Sequence, residues 1–293
     1  MAVDIQSALI GTIHALLSLL LISLNIVVFV VLHRTQEFKT LTYLIIKHMI
    51  FGCTVQLCSL FFGAVMTIFN TNFNGTLEKL LGACLQSGWF LYISASLALA
   101  VERSLIFLMT NRSTRTHCIS YVLLFLSWLL AGSYFVVLNL PGFGFTYFQS
   151  KGAFSWFYDS REETSQLLSL VEICVDFTML AGILILYVVT VVRIISRKHS
   201  LAPSSSTKAE LRVLLVSVVS FCYEGTYLLW FFWGFVMITD QAYISVIATT
   251  LWIVECGFLS AVTIVLNSSV REKVVDMWWK KKTKVTPIVS FSR

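Results

Sequence analysis

The sequence predicts an all-α membrane protein: a seven-transmembrane helix bundle, N-terminus outside, with a short amphipathic cytoplasmic helix after the seventh span. Three observations predict it. Of the 293 residues 57% are hydrophobic and only 12% charged, about half the charge of a soluble domain. Seven apolar runs follow one another at 8–32, 41–69, 79–108, 119–140, 165–195, 211–238 and 243–267, each long enough to cross ~30 Å of hydrocarbon with ~20 helical residues. The cations also fall on alternate sides. Of the 21 Lys and Arg, Lys79, Lys151 and Arg161 lie on one side and the other 18 on the opposite side. The positive-inside rule then places the N-terminus outside and the C-terminus in the cytoplasm. Residues 1–267 make the bundle and 268–293 a cytoplasmic helix and tail.

The first run lacks a basic region ahead of it and a small-residue cleavage pattern behind it, so it is expected to stay as a span and not to be removed as a signal peptide. The third run is the central one. From Lys79 to Met109 it is interrupted by Gly82, Gln86, Ser87, Ser94 and Ser96 and closes on Glu102-Arg103-Ser104. Small and polar residues along a span fit other helices better than lipid. An adjacent acid and arginine cannot rest in hydrocarbon without partners or water. Glu102 and Arg103 therefore read as a latch at the inner face, with Glu210 at the start of the sixth span as a second partner. The alternative is simple anchoring, Arg103 snorkelling to lipid phosphate.

Four acids lie within later spans: Glu172, Asp176, Glu224 and Glu255. At ~1.5 Å per residue the last three are expected at similar mid-membrane depth, with Glu172 one turn outward of Asp176. No Lys or Arg shares that layer, so these acids must face the bundle interior, carry a proton, or meet a cation. Either they line an aromatic-walled ligand cavity with Gln86, Trp89, Tyr92, Tyr223, Tyr227 and Trp252, where an amine would gain cation–π contacts, or they form a wet polar network that couples helices. Trp230, Phe231, Phe232, Trp233 and Phe235 near the outer end of the sixth span read as an interfacial belt or as a binding wall. Connection 141–164 is unusually aromatic for exposed chain. It is expected to fold over the bundle mouth as a lid or to lie on the outer leaflet.

Asn74-Gly75-Thr76 in the first outer connection is a glycosylation acceptor that the modifying enzyme could reach; Asn111-Arg112-Ser113 and Asn267-Ser268-Ser269 lie on the inner side and should stay unmodified. After the seventh span, VREKVVDMWWKKK alternates Val270, Val274 and Val275 with Arg271, Glu272 and Lys273, as in an amphipathic helix lying on anionic inner-leaflet lipid. The five histidines have no metal spacing, and there is no phosphate loop or nucleophile elbow. No enzyme activity, cofactor or nucleic-acid partner is expected. The competing class is a small transporter or cation channel using the mid-membrane acids, although repeated halves and interrupted helices are not seen.

Local motifs carry a resemblance. Seven spans with an acid-Arg pair at the inner end of the third resemble the G-protein-coupled receptors. Leu24-Asn25-Ile26-Val27, Tyr43-Leu44-Ile45-Ile46-Lys47-His48-Met49, Ala100-Val101-Glu102-Arg103 and Leu266-Asn267-Ser268-Ser269-Val270-Arg271 are similar to segments of the nematode serpentine chemoreceptors, most like the Srt-type group. That resemblance implies a small-molecule ligand, a heterotrimeric G protein docking beside Arg103, Asn267 and Arg271, and a plasma-membrane location such as a sensory cilium. The chain departs from the wider superfamily at three places. Cys53 stands where an acid is usual in the second span, Cys84 is too deep to bridge to an outer connection that has no cysteine, and the span interiors hold no proline. The seventh span has no lysine, so the retinal Schiff base of the opsins is unavailable. Gly182, Gly225 and Gly257 are left as candidate pivots.

Overall fold

The structure is a computed structural model that describes residues 5–108, 114–150, 153–159, 161–197, 205–237 and 241–279. The helices are α1 (Ile5–Arg34), α2 (Leu41–Phe69), α3 (Gly75–Leu108), α4 (Thr114–Asn139), α5 (Glu163–Arg197), α6 (Ser205–Met237), α7 (Gln241–Leu266) and α8 (Ser268–Trp279). The first seven are long and apolar enough to cross a membrane. Several overrun the apolar runs. Backbone hydrogen bonding continues into polar flanks that hydropathy alone leaves out, as where α3 begins at Gly75 and α5 at Glu163.

α3 is the most enclosed span, with 72% of its apolar window buried, and α5 the least, at 17%. The central position expected of the third run is therefore observed. The reason is small residues: a Cβ on Gly52 of α2 would stand 2.9 Å from the Gly88 carbonyl oxygen of α3, so these two helices meet backbone to backbone, as glycine pairs allow in membranes. α1 is tied to α7 by Asn25, whose amide donates to the Cys256 carbonyl at 3.0 Å, and by His14 against Thr250 at 2.9 Å. A Cβ on Gly257 would come within 2.8 Å of Leu21 Cγ. This glycine is a packing contact for α1.

Among the described residues, the outer connection between α4 and α5 is the one place where strands interrupt an otherwise helical chain. It forms an antiparallel hairpin, β1 (Phe145–Ser150) and β2 (Ala153–Tyr158), in which Phe145 pairs with Tyr158 and Tyr147 with Trp156. Phe145, Tyr147 and Trp156 are buried while Phe148 is exposed, the alternation expected of a strand with one covered face. Of the two placements open to this connection, the structure adopts the one over the bundle mouth. At the opposite end α8 seats Val270 fully inside and lies against α1, with Lys273 Nζ 3.8 Å from Glu37.

Candidate functional site

One stripe of α3 organises the interior. Glu78, Gly82, Gln86, Trp89 and, further inward, Glu102-Arg103 recur at helical spacing along it, and each meets a different partner. At the mouth, Glu78 Oε1 accepts the backbone N–H of Tyr147 at 2.7 Å, and Asn72 Nδ2 donates to the Tyr147 carbonyl at 3.2 Å. The Tyr147 hydroxyl is bonded to Thr67, and burial holds it well above the usual phenol range. Ser155 on the second strand accepts from Thr249 of α7 at 2.9 Å. Gly82 lets the hairpin in, because any Cβ there would overlap the Phe145 carbonyl oxygen. The hairpin is thus held by a carboxylate, hydroxyls and one glycine, while Cys84 is an unpaired thiol.

Beneath the hairpin is the layer of acids. Gln86 Nε2 donates to the Tyr158 hydroxyl at 3.0 Å, and both Gln86 and Tyr158 hydrogen-bond to Glu172. Burial and the neighbouring Glu172 together hold the Tyr158 hydroxyl well above the usual phenol range. Trp89 Nε1 donates to both oxygens of Asp176 at 3.2 Å. Its ring meets Tyr227 at 5.7 Å, Tyr227 meets Trp252 at 6.0 Å, and Trp252 meets Phe231 at 5.8 Å and Phe145 of the hairpin at 6.3 Å. Edge and tilted arrangements at these distances are favourable for aromatic pairs. Trp252 Nε1 donates to Gln56 Oε1 at 2.9 Å.

Glu224 and Glu255 are both fully buried; neither carboxylate oxygen of Glu224 has a hydrogen-bond partner, and Glu255 is met only by the Tyr92 hydroxyl and the Cys256 thiol. Glu255 faces Tyr92, Cys256 and Cys53, and Glu224 lies within electrostatic range of Glu255 and Asp176. Cys53 of α2 thus lies in the same group as the acids that α6 and α7 contribute. Unpaired carboxylates at this depth are costly, which makes this half of the layer the unsatisfied one.

The structure brings together nine of the ten residues that the sequence nominates for a ligand layer. Tyr223 is at the margin, half-buried and within electrostatic range of Glu255. It stacks on Phe258 at 4.4 Å and donates to the Leu251 carbonyl at 3.1 Å, so it closes the α6–α7 seam. The aromatic run of α6 divides: Phe231 turns inward onto Trp252, while Trp233 packs on Phe177 and stays exposed. Sequence reading missed Glu78, Thr42 and Gln56. A polar residue just outside or midway along an apolar run was the signal in each case.

At the inner end Arg103 is completely buried, which rules out snorkelling to lipid. Its Nε and Nη2 donate to Glu102 Oε2 at 2.8 and 2.5 Å. Nη2 also bonds to Thr42 of α2, whose hydroxyl donates in turn to Glu102 Oε1 at 2.8 Å. Next to it Ser104 meets Thr190 of α5 at 2.8 Å. Asn267 donates to the Tyr43 hydroxyl at 3.0 Å, and Arg271 donates to the Val265 carbonyl at 2.8 Å. Both tie the end of α7 to its surroundings without reaching the Glu102–Arg103 pair. The side chain of Glu210 lies outside the described residues. Asn74 is exposed and its Oδ1 accepts from Thr76 N at 2.8 Å. It caps α3 while its amide nitrogen stays available.

Two comparisons bear on this arrangement, and a third finds nothing: no curated protein matches the chain. The fold is similar to that of squid rhodopsin, with a TM-score of 0.74 at 13% identity over 93% of this chain and 85% of that one. A family model described as serpentine type 7TM GPCR chemoreceptor Srt matches residues 2–287. With that match spanning nearly the whole sequence, the chain belongs to the Srt family of serpentine seven-transmembrane chemoreceptors.

Proposed function

We infer that this receptor binds a small molecule arriving from outside and answers by opening its inner face to a heterotrimeric G protein, at the plasma membrane and in a sensory cilium. The observation that supports this most is the α3 stripe. One rigid helix carries the hairpin clamp at Glu78, the acid and aromatic layer at Gln86 and Trp89, and the Glu102–Arg103 latch. A cleft of about 960 Å³ opens beside the hairpin, lined by Asn72, Glu78, Lys79, Tyr147, Tyr158 and Glu162 among others. Tyr158 lines that cleft and bonds to Glu172, and the layer with Glu224 and Glu255 lies beneath it. A compact cation, an amine above all, supplies the charge those carboxylates lack, and the rings of Trp89, Tyr227 and Trp252 suit its flanks. It shifts the receptor only by binding the two states unequally. In the resting state Arg103 is held by Glu102 and Thr42. Release of that grip presents a guanidinium to the G protein, with Asn267, Arg271 and the basic inner surface around it.

The test is expression in a reporter cell against a panel of volatiles and small metabolites. Arg103→Ala should remove the ligand-evoked second-messenger signal at unchanged surface expression. Asp176→Ala, Glu224→Ala and Glu255→Ala should each weaken agonist potency; three unchanged potencies at normal expression would defeat the ligand layer. The two buried glutamates, with no cation beside them among the described residues, also favour a second reading, a cation path through the bundle. Ligand-evoked ion flux that survives Arg103→Ala would establish it.

A further inference from the structure

A second cleft, of about 360 Å³, opens at the cation-rich end between the inner ends of α1, α2 and α4. Lys39, Lys47, His33, Thr40 and Tyr121 line it, with Leu41 and Leu44 as its floor. Lys39 belongs to the turn before α2, and Lys47 sits six residues into that helix, about 9 Å along its axis. An ammonium at that depth reaches back along its own stem to the headgroup level, so the two lysines converge on the same opening. No carboxylate lines it. Glu37, the acid next in sequence, turns toward Lys273 at 3.8 Å, and Glu102 is taken by Arg103. Two cations share a cleft with hydroxyls from Thr40 and Tyr121, and among the described residues no carboxylate neutralises them.

What lies deeper decides the kind of anion. One turn beyond Lys47, Phe51 is exposed and packs on Trp128 of α4 at 5.7 Å; Phe125, one turn beyond Tyr121 on α4, is also exposed. The polar cleft therefore continues toward the membrane centre as an open apolar track. A free phosphate would use only the first part. We propose that this is a lipid site: the cleft holds the phosphate-bearing headgroup of an anionic inner-leaflet phospholipid, and its acyl chain runs along Phe51, Phe125 and Trp128. Lys39 and Lys47 pair with the headgroup phosphate, and Thr40 and Tyr121 donate to its oxygens.

Native mass spectrometry of the full chain tests this, with phosphatidylinositol 4-phosphate and phosphatidylcholine added at equal concentration. The wild type should retain the phosphorylated lipid preferentially. The double variant K39Q/K47Q should lose roughly thirtyfold in that retention, as expected for two cations at a membrane surface. K39Q alone, at an exposed position in a connecting turn, should lose about fivefold and guards against a folding defect in the double variant. Lys273→Gln should change retention less than twofold. Equal losses from K273Q and K39Q would mean a diffuse basic field and overturn the site. Retention of soluble inositol 1,4-bisphosphate as strong as that of the lipid would overturn the apolar track, and unchanged retention in K39Q/K47Q would overturn the proposal outright.

Discussion

Replacing Gly82 with alanine should dislodge the outer hairpin, and the structure sets the size of the effect. The new Cβ would overlap the Phe145 carbonyl oxygen and stand 2.7 Å from its carbonyl carbon, against the ~3.5 Å or more that non-bonded carbon atoms need. The oxygen overlap is the larger of the two, so β1 must move by more than about 1 Å. Overpacking of this kind costs about 1–3 kcal/mol. The same movement strains the 2.7 Å bond from Tyr147 N–H to Glu78, a hydrogen bond to a charged group worth about 1.5–3 kcal/mol. Taken together the loss is about 2.5–6 kcal/mol, which for a chain of this length corresponds to a fall of about 5–12 °C in the unfolding midpoint. The assay is thermal unfolding of the purified receptor followed with a thiol-reactive dye, since Cys53 and Cys256 are buried and unpaired. Gly132→Ala is the control, because a Cβ at that glycine meets nothing within 4 Å. Equal midpoints for the two variants would refute the claim that hairpin backbone rests on α3 at Gly82.

Other positions give independent checks. Trp89→Phe keeps the ring but removes the donor shared by both oxygens of Asp176; a loss of about 1.5–3 kcal/mol in unfolding free energy is expected, and the same denaturation assay reads it. Glu102→Gln weakens the hold on Arg103 without emptying its site, so basal second-messenger output should rise at unchanged surface expression. Asn74→Asp keeps the cap on Thr76 N but removes the glycan acceptor. It should abolish one glycosidase-sensitive gel shift with little effect on stability, whereas Asn74→Ala should also cost about 1 kcal/mol.

The number of spans, the order of apolar runs and the side on which cations gather were legible in the linear sequence, because each depends on a local quantity: hydropathy over ~20 residues, or charge within a short connection. The prominence of Arg103 was legible for the same reason, since charge inside an apolar run is visible wherever it occurs. The hairpin was also written in the chain, as Phe145, Tyr147 and Trp156 alternating with outward residues, but the aromatic content of that connection hid the period of two. Tertiary structure alone decided the pairings. That Thr42 bridges Glu102 and Arg103, that Gln56 receives Trp252, and that Glu78 clamps Tyr147 depends on which faces of α2, α3 and α7 meet, and close approach at Gly52 and Gly82 sets those faces. Tyr223 shows the same limit from the other direction. Its depth in the membrane is a matter of counting residues, but its rotation about α6, which stacks it on Phe258 at the margin of the acid layer, is fixed only when neighbouring helices pack.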